Sequence, residues 1–96
     1  MMVLITYDVA TVDPQGSKRL RDVAKICERH GQRVQNSVFE CVMDAAQRVK
    51  VKRILLDIID HKADSLRFYD LGNNYKTKVE HFGIKPGFDV EDTLIV

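Results

Sequence analysis

The stretch Val3-Leu4-Ile5-Thr6-Tyr7-Asp8-Val9 sets a carboxylate at the end of an apolar run that belongs inside a sheet. Burying it unpaired costs on the order of several kcal/mol unless it takes a proton or finds a partner. Asp8 also lies at the exit of its strand, before a loop carrying Thr11, Gly16 and Ser17, where a rigid strand end meets an adjustable segment. Position alone favours an aspartate that caps its own turn. A two-fold axis near this strand end changes that, because it brings two Asp8 carboxylates together. Such a pair shares a proton or binds a hard cation through oxygens and water. Cys27 and Cys41 have no CxxC spacing, and His30, His61 and His81 have no HExxH spacing. Mg²⁺, with Mn²⁺ as the alternative, is therefore the expected ion, and the chemistry it supports is phosphodiester cleavage by an activated water.

The elements that position Asp8 follow from periodicity. VLITYDV reads as a strand, apolar on both faces and so central in its sheet. DPQG is turn chemistry. Ser17 stands at the expected N-cap of a helix with Leu20, Val23, Ala24 and Cys27 at i, i+3, i+4, i+7, and Gly31 at its expected left-handed end. RVQNSVFECVM is a second strand, rich in β-branched and aromatic residues. Asp44 caps a second helix, in which Val51, Ile54, Leu55, Ile58 and Ile59 repeat the same spacing. DSLRFYDL is a third strand, KTKVEHFG a weaker fourth, and DTLIV a short apolar end. The order is β-α-β-β-α-β if a tight bend lies inside RVQNSVFECVM, and β-α-β-α-β-β plus a tail if it does not. Either order gives an α+β, ferredoxin-like sandwich with two helices on one face of a mostly antiparallel sheet.

Ninety-six residues, 45% of them hydrophobic, are expected to form one domain over residues 1–96 with a small core. Tyr7, Val34, Val38, Phe39, Tyr69 and the apolar tail are too many to divide between that core and solvent. A two-fold dimer that covers the helix-free sheet face is therefore expected. The C-terminal strand at about residues 92–96 either pairs across the dimer or within its own chain. The cysteines fall on core-facing positions, so buried free thiols are expected rather than a disulfide or zinc site. No apolar stretch is long enough to cross a bilayer, and MMVLITYDV lacks the features of a signal peptide, so a cytoplasmic protein is expected.

Net charge is only +1, but it is unevenly spread. Between Ser17 and Arg33 six basic residues face two acidic ones, and a second basic group follows at Arg48, Lys50, Lys52 and Arg53. Lys18, Arg21, Lys25 and Arg29 line the helix side opposite Leu20, Val23, Ala24 and Cys27. Such a stripe suits the phosphates of duplex DNA, without base reading, and a dimer doubles it. An ordinary solvated helix face has the same pattern.

YDV at the end of the first strand, CERHGQRVQNSVFECVMD with its Gln-x-x-Ser-Val-Phe-Glu centre, and DSLRFYDLG resemble, in this order and over nearly the whole chain, the small CRISPR-associated proteins of the Cas-two family, partners of the integrase in capturing new spacers. The resemblance implies a ferredoxin-like fold and an obligate homodimer whose C-terminal strands pack across subunits. It makes Asp8, one from each chain, the metal-binding and catalytic aspartate of a Mg²⁺-dependent endonuclease acting on RNA or duplex DNA. Ser37, Phe39 and Glu40, with Arg67 and Tyr69, match its strand motifs and are assigned to packing and interface. Lys18, Arg19 and Arg21 lie where such a protein touches DNA. The family also implies a scaffold that holds a duplex and binds the integrase subunit without cleaving anything. Apart from the resemblance, a toxin-like metal-dependent ribonuclease and a non-catalytic ferredoxin-like regulatory domain fit the same residues.

Overall fold

The structure, a computed structural model, describes residues 1–83. Its elements run β1 (Met2–Asp8), α1 (Pro14–His30), β2 (Gly31–Gln35), β3 (Val38–Val42), α2 (Ala45–Ile58), β4 (Ser65–Gly72) and a single 3₁₀ turn (Tyr75–Thr77). The sheet order is β2-β3-β1-β4 with every neighbouring pair antiparallel. This is the β-α-β-β-α-β alternative, an α+β ferredoxin-like sandwich. The deciding bend is at Asn36-Ser37, between Gln35 and Val38, which register with each other.

β1 is paired on both edges, as its two apolar faces require. Val3, Ile5, Tyr7 and Val9 point to the helices and join Val23 and Cys27 of α1, Phe39 and Cys41 of β3, and Val51 and Leu55 of α2 in one buried cluster. Leu4, Thr6 and Asp8 alternate onto the opposite face, which no helix covers. Cys27 and Cys41 are buried free thiols. Burial pushes them up to about 12 and about 11 respectively, so neither is a thiolate nucleophile at neutral pH.

Four expectations need correction. α1 begins at Pro14, with Asp13 as its N-cap accepting from the Gly16 amide at 2.7 Å; Ser17 lies inside the helix. An aspartate cap followed by proline at the first helical position is itself a helix start. Gly31 is extended (φ −166°) and opens β2 directly. KTKVEHFG forms no strand: one 3₁₀ turn ends at Thr77 and the described residues beyond it are irregular. Phe39, expected at a subunit interface, is fully buried against Tyr7 and beneath the Arg33 guanidinium, so it has no surface left to offer a partner. The expected strand at 92–96 lies outside the described residues. The cap at Asp44 is present in full, since Asp44 accepts from the Gln47 amide at 2.7 Å while the Gln47 side chain accepts from the Asp44 amide at 3.0 Å.

The need for glycine at 31 is steric. A Cβ there would fall on the Glu40 carbonyl oxygen and come within 2.6 Å of Cys41 Cα. Gly31→Ala is expected to destabilise the fold by about 1–3 kcal/mol through overpacking. Urea unfolding checks this, with a lowered midpoint at unchanged slope as the expected outcome.

Candidate functional site

Asp8 is the last residue of β1 and registers with Ser65, the first of β4. Its side chain is exposed and makes no hydrogen bond or ion pair among the described residues. The carboxylate therefore escapes the desolvation problem that the sequence posed, because the strand's alternation delivers it to the helix-free face at the sheet's rim. Arg67 and Tyr69 share that face, with Arg67 donating to the Tyr69 hydroxyl at 3.1 Å. Registers Asp8↔Ser65 and Thr6↔Arg67 make Arg67 the diagonal neighbour of Asp8, typically about 7–8 Å away. Arg67 is thus an exposed cation beside the carboxylate, which its placement in a strand motif had not suggested.

Among the described residues no group of three or more His, Cys, Asp or Glu side chains is placed to hold a metal ion. A zinc-type or calcium-type cage is thus not offered by this part of the chain. Mg²⁺ needs less, since it keeps several waters and commonly takes one or two carboxylates together with phosphate oxygens. An exposed, unengaged Asp8 fits one of those carboxylates.

Tyr7, one residue earlier, points the other way. Its hydroxyl is buried without a hydrogen-bond partner, and its pKa is raised chiefly by that burial, with Cys27 adding to the rise and Arg33 opposing it. The amide of Tyr7 donates to the Ser37 carbonyl at 3.1 Å, which carries the β1–β3 pairing up to the bend.

The chain leaving Asp8 is held by Asp64, the residue immediately before β4. The Asp64 side chain is fully buried; its Oδ1 accepts from the Ala10 amide at 3.0 Å and its Oδ2 from the Asp60 amide at 2.8 Å. Arg19 Nε donates to Oδ2 at 2.8 Å, and Arg19 Nη2 reaches the Ala10 carbonyl at 3.4 Å. Burial alone would raise the Asp64 pKa, but the bonds from Arg19, Asp60 and Ala10 together outweigh it and hold the carboxyl below its ordinary range. The ionised pair thus persists at neutral pH and is lost only on acidification through that lowered range. Neither sequence spacing nor periodicity had singled out Asp64.

The predicted cations are not equivalent. Arg21, Lys25 and Arg29 of α1 are exposed and free of ion pairs among the described residues. They are spaced four residues apart, which sets three charges along about 12 Å of helix. Lys18 is exposed but bonded to Asp22 at 2.8 Å, a surface pair that phosphate easily replaces. Arg19 is committed to Asp64 and does not join this ridge.

The helix-free face carries a shallow cavity of about 810 Å³ lined by Leu4, Thr6, Val34, Val38 and Tyr69, and by the segment 80–82 on its far side. Val42 and Tyr69, on the same face, are 54% and 43% exposed.

Comparison with known proteins gives this geometry a family. Residues 1–79 match the family described as CRISPR associated protein Cas2. The chain is 62% identical over 95 residues to the CRISPR-associated endonuclease Cas2 of Halalkalibacterium halodurans, covering 99% of each. It is 56% identical over 96 residues to the CRISPR-associated endoribonuclease Cas2 of Nitratidesulfovibrio vulgaris, covering 100% of this chain and 94% of the relative. Its fold superposes on the crystal structure of Streptococcus pyogenes Cas2 at pH 6.5 with a TM-score of 0.76 and 59% identity, covering 86% of this chain and 100% of the other. The match reaches from the Asp8 strand through the Asp64 loop and past β4, so the chain belongs to the Cas2 family of CRISPR-associated proteins.

Proposed function

We propose that this protein acts in the cytoplasm as a homodimer in CRISPR spacer acquisition, gripping duplex DNA and an integrase subunit, and that its paired Asp8 carboxylates bind Mg²⁺, or Mn²⁺, to cleave phosphodiesters. The observation that carries the reading is the placement of Asp8: an exposed, unengaged carboxylate at the rim of a sheet face that no helix covers. A second copy seated on that face, with its axis near the Asp8 end, brings two such carboxylates together. The apolar character of Leu4, Val34, Val38 and Val42 and the exposed Tyr69 ring supply the reason for a copy to sit there. The C-terminal strand at about 92–96 completes the pairing across subunits in this reading, and residues 1–96 act as one domain.

When bound, the cation activates water and offsets phosphate charge. The chain's own part is to orient it through Asp8 Oδ atoms and to hold the substrate backbone. Arg67 supplies a nearby donor for a phosphate oxygen, and Arg21, Lys25 and Lys18 supply the extended grip. RNA as a second substrate is supported by the relatives named endoribonucleases. Arg19 is left out of the grip because its charge is already met by Asp64.

Asp8→Ala is expected to lower Mg²⁺-dependent cleavage of RNA or duplex DNA by at least 100-fold while duplex affinity changes less than twofold. Gel-based cleavage alongside fluorescence anisotropy checks both, and activity that survives in the variant overturns the nuclease half of the proposal. Charge reversal at Lys18, Arg21 and Lys25 is expected to abolish spacer acquisition and to lower the slope of log Kd against log salt for duplex DNA by about 3, one unit per lost phosphate contact. An unchanged slope removes α1 from the interface. Tyr69→Lys is expected to weaken the dimer at least tenfold in sedimentation equilibrium, and a wild-type profile moves the interface elsewhere.

A further inference from the structure

The chain enters and leaves the Asp8–Ser65 rung at two places, and one buried carboxylate fastens both. Asp64 directly precedes Ser65, and its Oδ1 takes the amide of Ala10, two residues beyond Asp8. Its Oδ2 takes the Asp60 amide and the Arg19 guanidinium, and Arg19 returns to the Ala10 carbonyl. Both polar groups of Ala10 are thereby held by one ion pair that spans 45 positions of sequence. The opposite side of this loop is blocked by close packing, because a Cβ on Gly16 would come within 3.0 Å of the Ala10 carbonyl carbon and of Thr11 Cα. The loop is trapped between the first turn of α1 and the Asp64 carboxylate.

We propose that Asp64, acting with Arg19, is a positioning residue for the cation site at Asp8: it fixes the backbone that leaves Asp8, and so the direction in which that carboxylate is presented. Strand pairing secures Asp8 on its N-terminal side only, since β1 ends there. Without the clamp, the residues after Asp8 have no other hydrogen bond to the α2–β4 loop among the described residues, and the terminal rung frays. A cation held by so few protein ligands is sensitive to the direction of each. The inference rests on the assignment of the cation to Asp8.

The test uses the full chain and Mn²⁺ alone as the probe. Hydrogen–deuterium exchange without metal is read over residues 8–13, and Mn²⁺ affinity is read by electron paramagnetic resonance. In Asp64→Asn, which keeps the shape and loses the charge, exchange over 8–13 is expected to rise at least tenfold and Mn²⁺ binding to weaken at least tenfold. Exchange over 51–55 in α2 stays as in the wild type and shows that the core is intact. Arg19→Gln is expected to follow Asp64→Asn, and Arg19→Lys to recover both readouts to within threefold; this pair decides the matter if Asp64→Asn does not fold. Wild-type exchange over 8–13, or a loosened loop with unchanged Mn²⁺ affinity, overturns the proposal. Asp8→Ala separates the two levels. If it binds Mn²⁺ as tightly as the wild type, the Asp8 site itself is wrong, whereas lost binding in Asp8→Ala beside unaltered binding in Asp64→Asn and Arg19→Gln removes only the positioning role.

Discussion

β1 is hydrogen-bonded along both edges, and its side chains alternate with a period of two. A one-residue slip against either neighbour would send Leu4 and Thr6 into the core and Val3, Ile5 and Tyr7 out of it. The burial of those residues, with Val9, therefore fixes the register, and the register fixes Asp8. An aspartate two residues past Thr6 must lie on the helix-free face, at the rung where β4 begins. The apolar run and its terminal carboxylate are thus a single device. The run anchors the strand so firmly that the last residue is presented outward without any contact of its own.

Most of this was legible in local pattern. The apolar alternation of β1, the spacing of Val23 and Cys27, the spacing of Val51 and Leu55 and the cap at Asp44 each depend on residues a few positions apart. Misreadings arose where one short stretch supports two structures. Asp-Pro-Gln-Gly satisfies a turn and also an N-cap with proline in the first helical position, and the latter prevails because it adds a helical turn and seats Gly16 against Ala10. Gly31 was read as a helix terminator, but its missing side chain serves the close approach of the β3 backbone. Phe39 has the look of an interface aromatic, yet its partner across the core is Tyr7, at a ring-centroid distance of 6.2 Å. The Arg19–Asp64 clamp was out of reach altogether, because no local rule joins residues 45 positions apart. Asp64 in sequence is merely the polar residue that opens a strand.

The basic residues divide by chemistry as well as by place. Three arginines are spent within the fold. Arg19 holds Asp64, Arg33 stacks over Phe39 and pairs with Glu28, and Arg48 stacks over Phe68 while gripping Asp70 through two nitrogens. Planar, forked and weakly hydrated guanidinium suits such stacked or bidentate places, where ammonium does not. The lysines of both helices are exposed instead. A net charge of +1 consequently understates the positive surface, because part of the acidic complement, including Asp64 and Asp70, is turned inward on arginine. What faces solvent along α1 is more basic than the composition suggests.

In the proposed dimer, the symmetry that covers the apolar face also creates an electrostatic problem at its rim. Two Asp8 carboxylates at close range repel, and one of them takes up a proton unless a cation lies between them. Burial of Leu4, Val34, Val38 and Tyr69 opposes that repulsion but does not remove it. A divalent ion removes it, and any ligand that binds the assembled form more tightly than the separate chains strengthens assembly by the same factor. Cation binding and subunit pairing are then one coupled equilibrium, in which phosphate oxygens from a gripped duplex complete the coordination that two carboxylates leave open. On this view nucleic acid, metal and the second subunit each favour the others. The single carboxylate per chain, weak as a site by itself, is what makes the three interdependent.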